Sequence, residues 1–283
     1  MRRKLLLLTA LALALPAILA PPPSAAATRS AGTKAAAPSS VVIRDVTVNV
    51  RGTAVSMYVV APAGRRAHSH AGILFMHWFA PGTVGADRTE YLADAVHLAE
   101  EGTVSFLPQG GFPWQADPIG TNADARAIRH QLAVFRSLLH RLANRADVDP
   151  TRVAVVGHDY GAMYAALLAR SDRHVHAAVL ETPDATWENW FLKFWLGYEG
   201  EQAAQYAATF AGLEPVDAIH GLGDRIYLQF ADDDFFIPEE VRTAFAESDP
   251  GAKVSLYAAE HELNTDATAD RLAWLETELN LSG

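Results

Sequence analysis

The chain contains no cysteine, and that absence closes several chemistries at once. A thiol nucleophile, a structural disulfide and a lipid anchor attached through an N-terminal cysteine are all excluded. No apolar run is long enough to cross a bilayer either: the most apolar stretch, Leu5 to Ala20, falls short of the roughly 20 residues a spanning helix needs. Positive charge is scarce, with 23 Lys and Arg against 33 Asp and Glu and a formal net charge of −10. That balance speaks against nucleic acid or anionic lipid as a partner and is indifferent to a small neutral substrate. There is no internal repeat, which removes solenoid architectures.

What is present begins with an export signal. Arg2, Arg3 and Lys4 precede the apolar stretch and Ala25, Ala26 and Ala27 close it, so residues 1–27 read as a signal peptide cleaved after Ala27, with the Arg2-Arg3 pair compatible with a twin-arginine route. Cleavage leaves 20 basic against 33 acidic residues, a charge of about −13, on a protein exported to the extracellular space or cell envelope without a stable membrane anchor. Residues 28–40, rich in Ala, Ser and Pro, read as a disordered linker. One folded domain is expected over residues 41–283, since half the chain is hydrophobic and this length buries a single large core.

Val41 to Val50 and Thr53 to Val60 alternate apolar and polar residues around Arg51-Gly52, the pattern of an edge hairpin. Ala71 to His77 is almost wholly apolar, as a strand covered on both faces must be. Beyond it, helical periodicity over Thr89 to Glu101, Ala123 to Asn144, Glu239 to Glu247 and Thr265 to Leu279 alternates with strand-like runs at Thr103 to Leu107, Val153 to Val156, His174 to Leu180, Arg225 to Phe230 and Lys253 to Tyr257. This alternation predicts an α/β fold: a mostly parallel sheet of about eight strands with helices on both faces. Residues 182–223 break the rhythm. They carry a dense set of aromatics and read as a short helical lid over a pocket for a hydrophobic substrate.

The chemistry centres on Gly157-His158-Asp159-Tyr160-Gly161, which joins the run Val153 to Val156 to an Ala- and Leu-rich helix. Small residues two positions either side of a central residue are what a tight strand-turn-helix elbow requires. The central residue is Asp159, not serine; as a bare carboxylate it would cap the helix, and at the tip of an elbow it is a nucleophile. On such a scaffold the histidine follows the acid in the chain. His261, in the loop between the last strand and last helix, is the expected base. Asp234 is the expected acid that orients it, with Asp233 as second choice and Asp232 left to solvent. The expected oxyanion donors are the backbone N–H groups of Tyr160 and Phe79, with Trp78 the alternative to Phe79. His77, Trp78, Trp187, Trp190, Trp195, Tyr198 and Tyr206 are the expected pocket residues.

These pieces resemble the α/β-hydrolase superfamily over nearly all of residues 41–281. The elbow resembles that of the epoxide hydrolase and haloalkane dehalogenase branch, whose nucleophile is Asp; the overall layout resembles dienelactone hydrolase-like proteins, whose elbow carries Cys or Ser. The sequence departs from the first branch in having Tyr160 where Trp is usual and His77-Trp78-Phe79-Ala80 where His-Gly-x-Pro is usual. The resemblance implies hydrolysis through a covalent alkyl ester on Asp159, epoxide hydrolase-like, with no metal or organic cofactor. Tyr198 and Tyr206 would serve an epoxide oxygen, and Trp78, Trp187, Trp190 and Trp195 a halide. Three alternatives stand beside it: dienelactone hydrolase-like or carboxylesterase activity with Asp159 as base, haloalkane dehalogenation, and a non-catalytic binding protein on the same fold.

Overall fold

The computed structural model describes residues 40–64 and 67–281. The expected signal peptide and all of the expected linker except Ser40 lie outside the described residues. Eight strands form one sheet: β1 (Val41–Val50), β2 (Thr53–Pro62), β3 (His70–Met76), β4 (Thr103–Pro108), β5 (Val148–His158), β6 (Ala177–Glu181), β7 (Ile226–Ala231) and β8 (Lys253–Tyr257), in the spatial order β1-β2-β4-β3-β5-β6-β7-β8. β2 runs antiparallel to both its neighbours and every other pairing is parallel.

The expected hairpin is the sheet edge. Arg51 and Gly52 both take positive φ (52° and 84°), the geometry of a two-residue turn whose twist matches paired antiparallel strands. The principal helices are α1 (Leu92–Glu100), α2 (Asn122–Ala143), α3 (Tyr160–Ser171), α4 (Trp187–Phe191), α5 (Gly200–Ala207), α6 (Pro215–Ala218), α7 (Glu239–Ser248) and α8 (Thr265–Glu278). α1 starts three residues later than its periodicity predicts, because Asp87 Oδ1 accepts from the Thr89 N–H (2.7 Å) and hydroxyl and holds that stretch as a turn.

Alternate residues of the central strands feed two apolar layers. Leu74, Met76, Val153, Val155, Leu228 and Phe230 face α2, α3 and the 182–223 segment. Ile73, Phe75, Ala154, Val156 and Tyr227 face α1 and α8. The second layer also encloses charge. Arg271 of α8, 5% exposed, donates to Asp94 of α1 (2.6 Å) and to Glu181 at the end of β6, and Glu181 also accepts from the Tyr91 hydroxyl (2.7 Å). The backbone of the same Glu181 accepts from Asp159 N at 2.9 Å, so this buried network ties the elbow to the sheet.

Candidate active site

Asp159 sits between β5 and α3 with φ 57° and ψ −123°, a conformation that costs a side-chain-bearing residue energy and persists only where the surroundings impose it. They do so by close approach. A Cβ on Gly157 would lie 2.2 Å from Gly161 O, and one on Gly161 would lie 2.0 Å from Met76 O. Both contacts are with backbone, so neither position admits any residue larger than glycine. The helix-cap alternative fails on geometry, because the Asp159 side chain makes no capping bond to α3.

The carboxylate is 5% exposed, and its Oδ2 accepts from Phe79 N at 2.9 Å. The Tyr160 N–H, the other expected donor, also favours the ionised carboxylate. Burial pushes the Asp159 carboxyl up to about 6, against the opposing pull of His261, the Phe79 N–H, His158 and the Tyr160 N–H. Of the two expected donors in the 77–82 loop, Phe79 is therefore the one aimed at Asp159. The Trp78 N–H is spent on Glu90 Oε2 at 2.7 Å. Trp78 O accepts from His77 Nδ1 (2.8 Å) and Trp114 Nε1 (2.9 Å), which clamps the peptide that orients Phe79.

His261 lies where expected, after β8, and its Nδ1 is 2.8 Å from Asp234 Oδ2. Among the three adjacent carboxylates the loop itself selects Asp234. Its Oδ1 accepts from Phe236 N (2.7 Å) and Ile237 N (3.0 Å), which turns the side chain fully inward. Burial alone would raise the Asp234 carboxyl; the hydrogen bond and charge of His261, with the two N–H groups, outweigh it and hold it below its ordinary value. Asp232 and Asp233 are exposed, Asp232 accepting from Ala259 N at 3.2 Å.

A cavity of about 300 Å³ opens above Asp159 and His261, lined mainly by Trp78, Phe79, Tyr160, Trp190, Trp195 and Phe236. Its lining includes no Lys or Arg. Four of the expected pocket residues lie elsewhere. Trp187 is wholly buried and donates Nε1–H to Leu213 O at 2.9 Å; the Tyr206 hydroxyl donates to Asp124 (2.7 Å); the Tyr198 hydroxyl faces Gly120 O (3.4 Å). His77 is a brace behind the cavity: Gly110 N donates to its Nε2 (3.0 Å), so the proton sits on Nδ1 and the ring is neutral, and burial lowers its pKa. Packing of the 182–223 segment onto α2 and α3 decides these orientations, and no periodicity in that segment encodes them.

Two polar residues at the site escaped the sequence reading. His158 is 2% exposed and lies between Glu90 and His261, with Nδ1 2.7 Å from Glu90 Oε1 and Nε2 3.0 Å from His261 O. Its ring stacks on Trp78 at 5.2 Å with an interplanar angle of 8°. His158 was visible in the motif, whereas Glu90 carried no local signal. Among the described residues, the cluster with metal-ligand spacing is His140, Asp172 and His174, at the opposite end of α3 from Asp159; Asp172 accepts there from the two histidines at 2.6 and 2.8 Å.

No protein-family model matches the chain, and no curated protein matches its sequence. Solved structures do. It is similar to an acetyl xylan esterase from Paenibacillus sp. R4 (17% identity, 87% of this chain and 86% of that one, TM-score 0.66). It is also similar to a 2,6-dihydroxy-pseudo-oxynicotine hydrolase (14%, 84% and 68%, TM-score 0.61) and to a Klebsiella pneumoniae protein provisionally named a dienelactone hydrolase (15%, 84% and 99%, TM-score 0.58). The chain has the α/β-hydrolase fold.

Proposed function

We propose that this chain is a hydrolase that attacks an sp³ carbon of a small hydrophobic substrate with the Asp159 carboxylate, in the manner of epoxide hydrolases. The observation that carries the reading is the state of the two carboxylate oxygens. Oδ2 is held by the Phe79 N–H, which leaves Oδ1 to attack. In the first step the Oδ1–carbon bond forms, the carbon–oxygen bond of the epoxide breaks, and its electron pair passes to the oxygen, which takes a proton from water and leaves hydroxide. In the second, His261, its Nδ1 engaged by Asp234, takes a proton from water through Nε2, and the hydroxide adds to the ester carbonyl. Negative charge then builds on Oδ2, against the Phe79 N–H already bonded to it. Collapse expels the ester oxygen, which takes the proton from His261 and leaves as the diol, and the Asp159 carboxyl gives its remaining proton to the hydroxide left by the first step, which restores the carboxylate.

Halide displacement is the second reading, favoured by one observation: Trp78, Trp190 and Trp195 line the cavity, while the phenols of Tyr198 and Tyr206 do not. We assign the exported location on the strength of residues 1–27. The deciding experiment is intact-protein and peptide mass spectrometry of His261→Ala after exposure to separate panels of apolar epoxides, alkyl halides and esters. An alkyl adduct on the Asp159 peptide is expected, and the panel that produces it names the leaving group. Turnover of any panel by the wild type in ¹⁸O-water without label entering Asp159 overturns the proposal.

A further inference from the structure

The buried ring of His158 has a partner on each nitrogen, and the two partners have something in common. Nδ1 meets a Glu90 carboxylate oxygen at 2.7 Å and Nε2 meets the His261 carbonyl oxygen at 3.0 Å. An ionised carboxylate and a carbonyl are acceptors only, so each ring nitrogen must carry a proton, and a ring with both protons is an imidazolium. Its flat face lies against the Trp78 indole, which favours a cation. The groups facing it are Glu90 from the loop before α1, Asp159 from the elbow, Glu181 from the end of β6, itself paired with Arg271 of α8, and His261 from the loop after β8, with a ring separation of 5.2 Å. Burial opposes the charge on His158, but Glu90, Glu181 and Asp159 overcome it and carry its pKa up to about 9.

We propose that His158 is a permanently protonated imidazolium whose charge keeps the neighbouring Asp159 carboxylate ionised, and hence able to attack, through the working pH range. This rests on the reading of Asp159 as nucleophile. His158 is a positioning residue: it acts through Asp159 and, by its bond to the His261 carbonyl, through the loop that carries the base. The alternative is that His158 only spaces that loop, in which case removing it slows the reaction equally at every pH.

Two measurements test this. In ¹⁵N-histidine-labelled wild-type protein at pH 8, both ring nitrogens of His158 should show imidazolium shifts and no titration below that pH. In His158→Gln, the acid limb of kcat/KM, near pH 6 in the wild type, should move up by at least about one pH unit, a roughly tenfold loss of rate on the acid side with recovery at higher pH. A neutral ring at pH 8, or a uniformly reduced rate with an unmoved limb, overturns the proposal. Should the variant fail to fold, the wild-type ring spectrum decides alone. A neutral ring together with a trapped Asp159 ester removes this inference and leaves the proposed reaction; an imidazolium with no ester removes the reaction and leaves the charge.

Discussion

Replacing Asp159 by Asn should make the protein more stable at pH 8, at the expense of its activity. The carboxyl is 5% exposed and burial pushes it up to about 6 from the ordinary 3.8. A carboxyl raised on folding is protonated more readily in the folded chain than in the unfolded one. Its contribution to stability is therefore complete below pH 3.8 and is lost as pH rises through about 6. The gap of about two units, at 1.36 kcal/mol each, puts that loss at about 3 kcal/mol for the wild type at pH 8. Asn never ionises, and its amide oxygen still accepts from the Phe79 N–H, so Asp159→Asn removes the loss. It also removes a neighbour of the His158 cation, which makes about 3 kcal/mol a ceiling. Urea unfolding of both proteins at pH 8 and pH 4 isolates the effect, because other titrations cancel in the difference. At pH 4 the advantage should shrink to about half a kcal/mol by the same linkage. A variant no more stable than the wild type at pH 8, or an advantage equal at both pH values, would refute the reasoning.

Three further outcomes follow from the packing. Gly161→Ala drives a Cβ to within 2.0 Å of Met76 O and should lower stability by roughly 3 kcal/mol or more, whereas Gly64→Ala, with nothing within 4 Å, should change urea unfolding by no more than about 0.5 kcal/mol. Arg271→Met strands Glu181 and Asp94 as unpaired buried carboxylates and should cost about 3 to 5 kcal/mol in the same assay; a loss under 1 kcal/mol would mean the network is solvated. Tyr206→Phe takes one donor from Asp124, which keeps those of Ile119 and Gly120. It should cost about 1 kcal/mol in stability and leave the rate of Asp159 alkylation unchanged, and a large rate loss would return Tyr206 to the chemistry.

The elements of the fold were legible because each satisfies a local period. β3 reads as a continuous apolar run since helices cover both its faces, and α2 reads at a period near 3.6 since one of its faces lies on the sheet. The placing of Asp159, His261 and Asp234 followed from the same reading, as strand ends in a parallel sheet share one edge. What failed to show was sidedness within the 182–223 segment. Its helices are short, between four and eight residues, too brief for periodicity to separate a cavity-facing Trp190 from a scaffold-facing Trp187. Glu90 stayed hidden for another reason: it lies 68 positions from its partner His158, and no local pattern marks a turn residue as half of a distant ion pair.

By itself, then, the sequence determined the elbow. Two glycines bracketing a carboxylate between a buried strand and a helix permit few other backbones, because the constraint is steric and acts within five residues. The tertiary structure alone decided the electrostatic state of that carboxylate. Burial, the Phe79 N–H brought in by a clamped loop, and an imidazolium held between Glu90 and the His261 carbonyl come from four separate parts of the chain. Their combined effect on one proton depends on distances that exist only once the sheet has assembled.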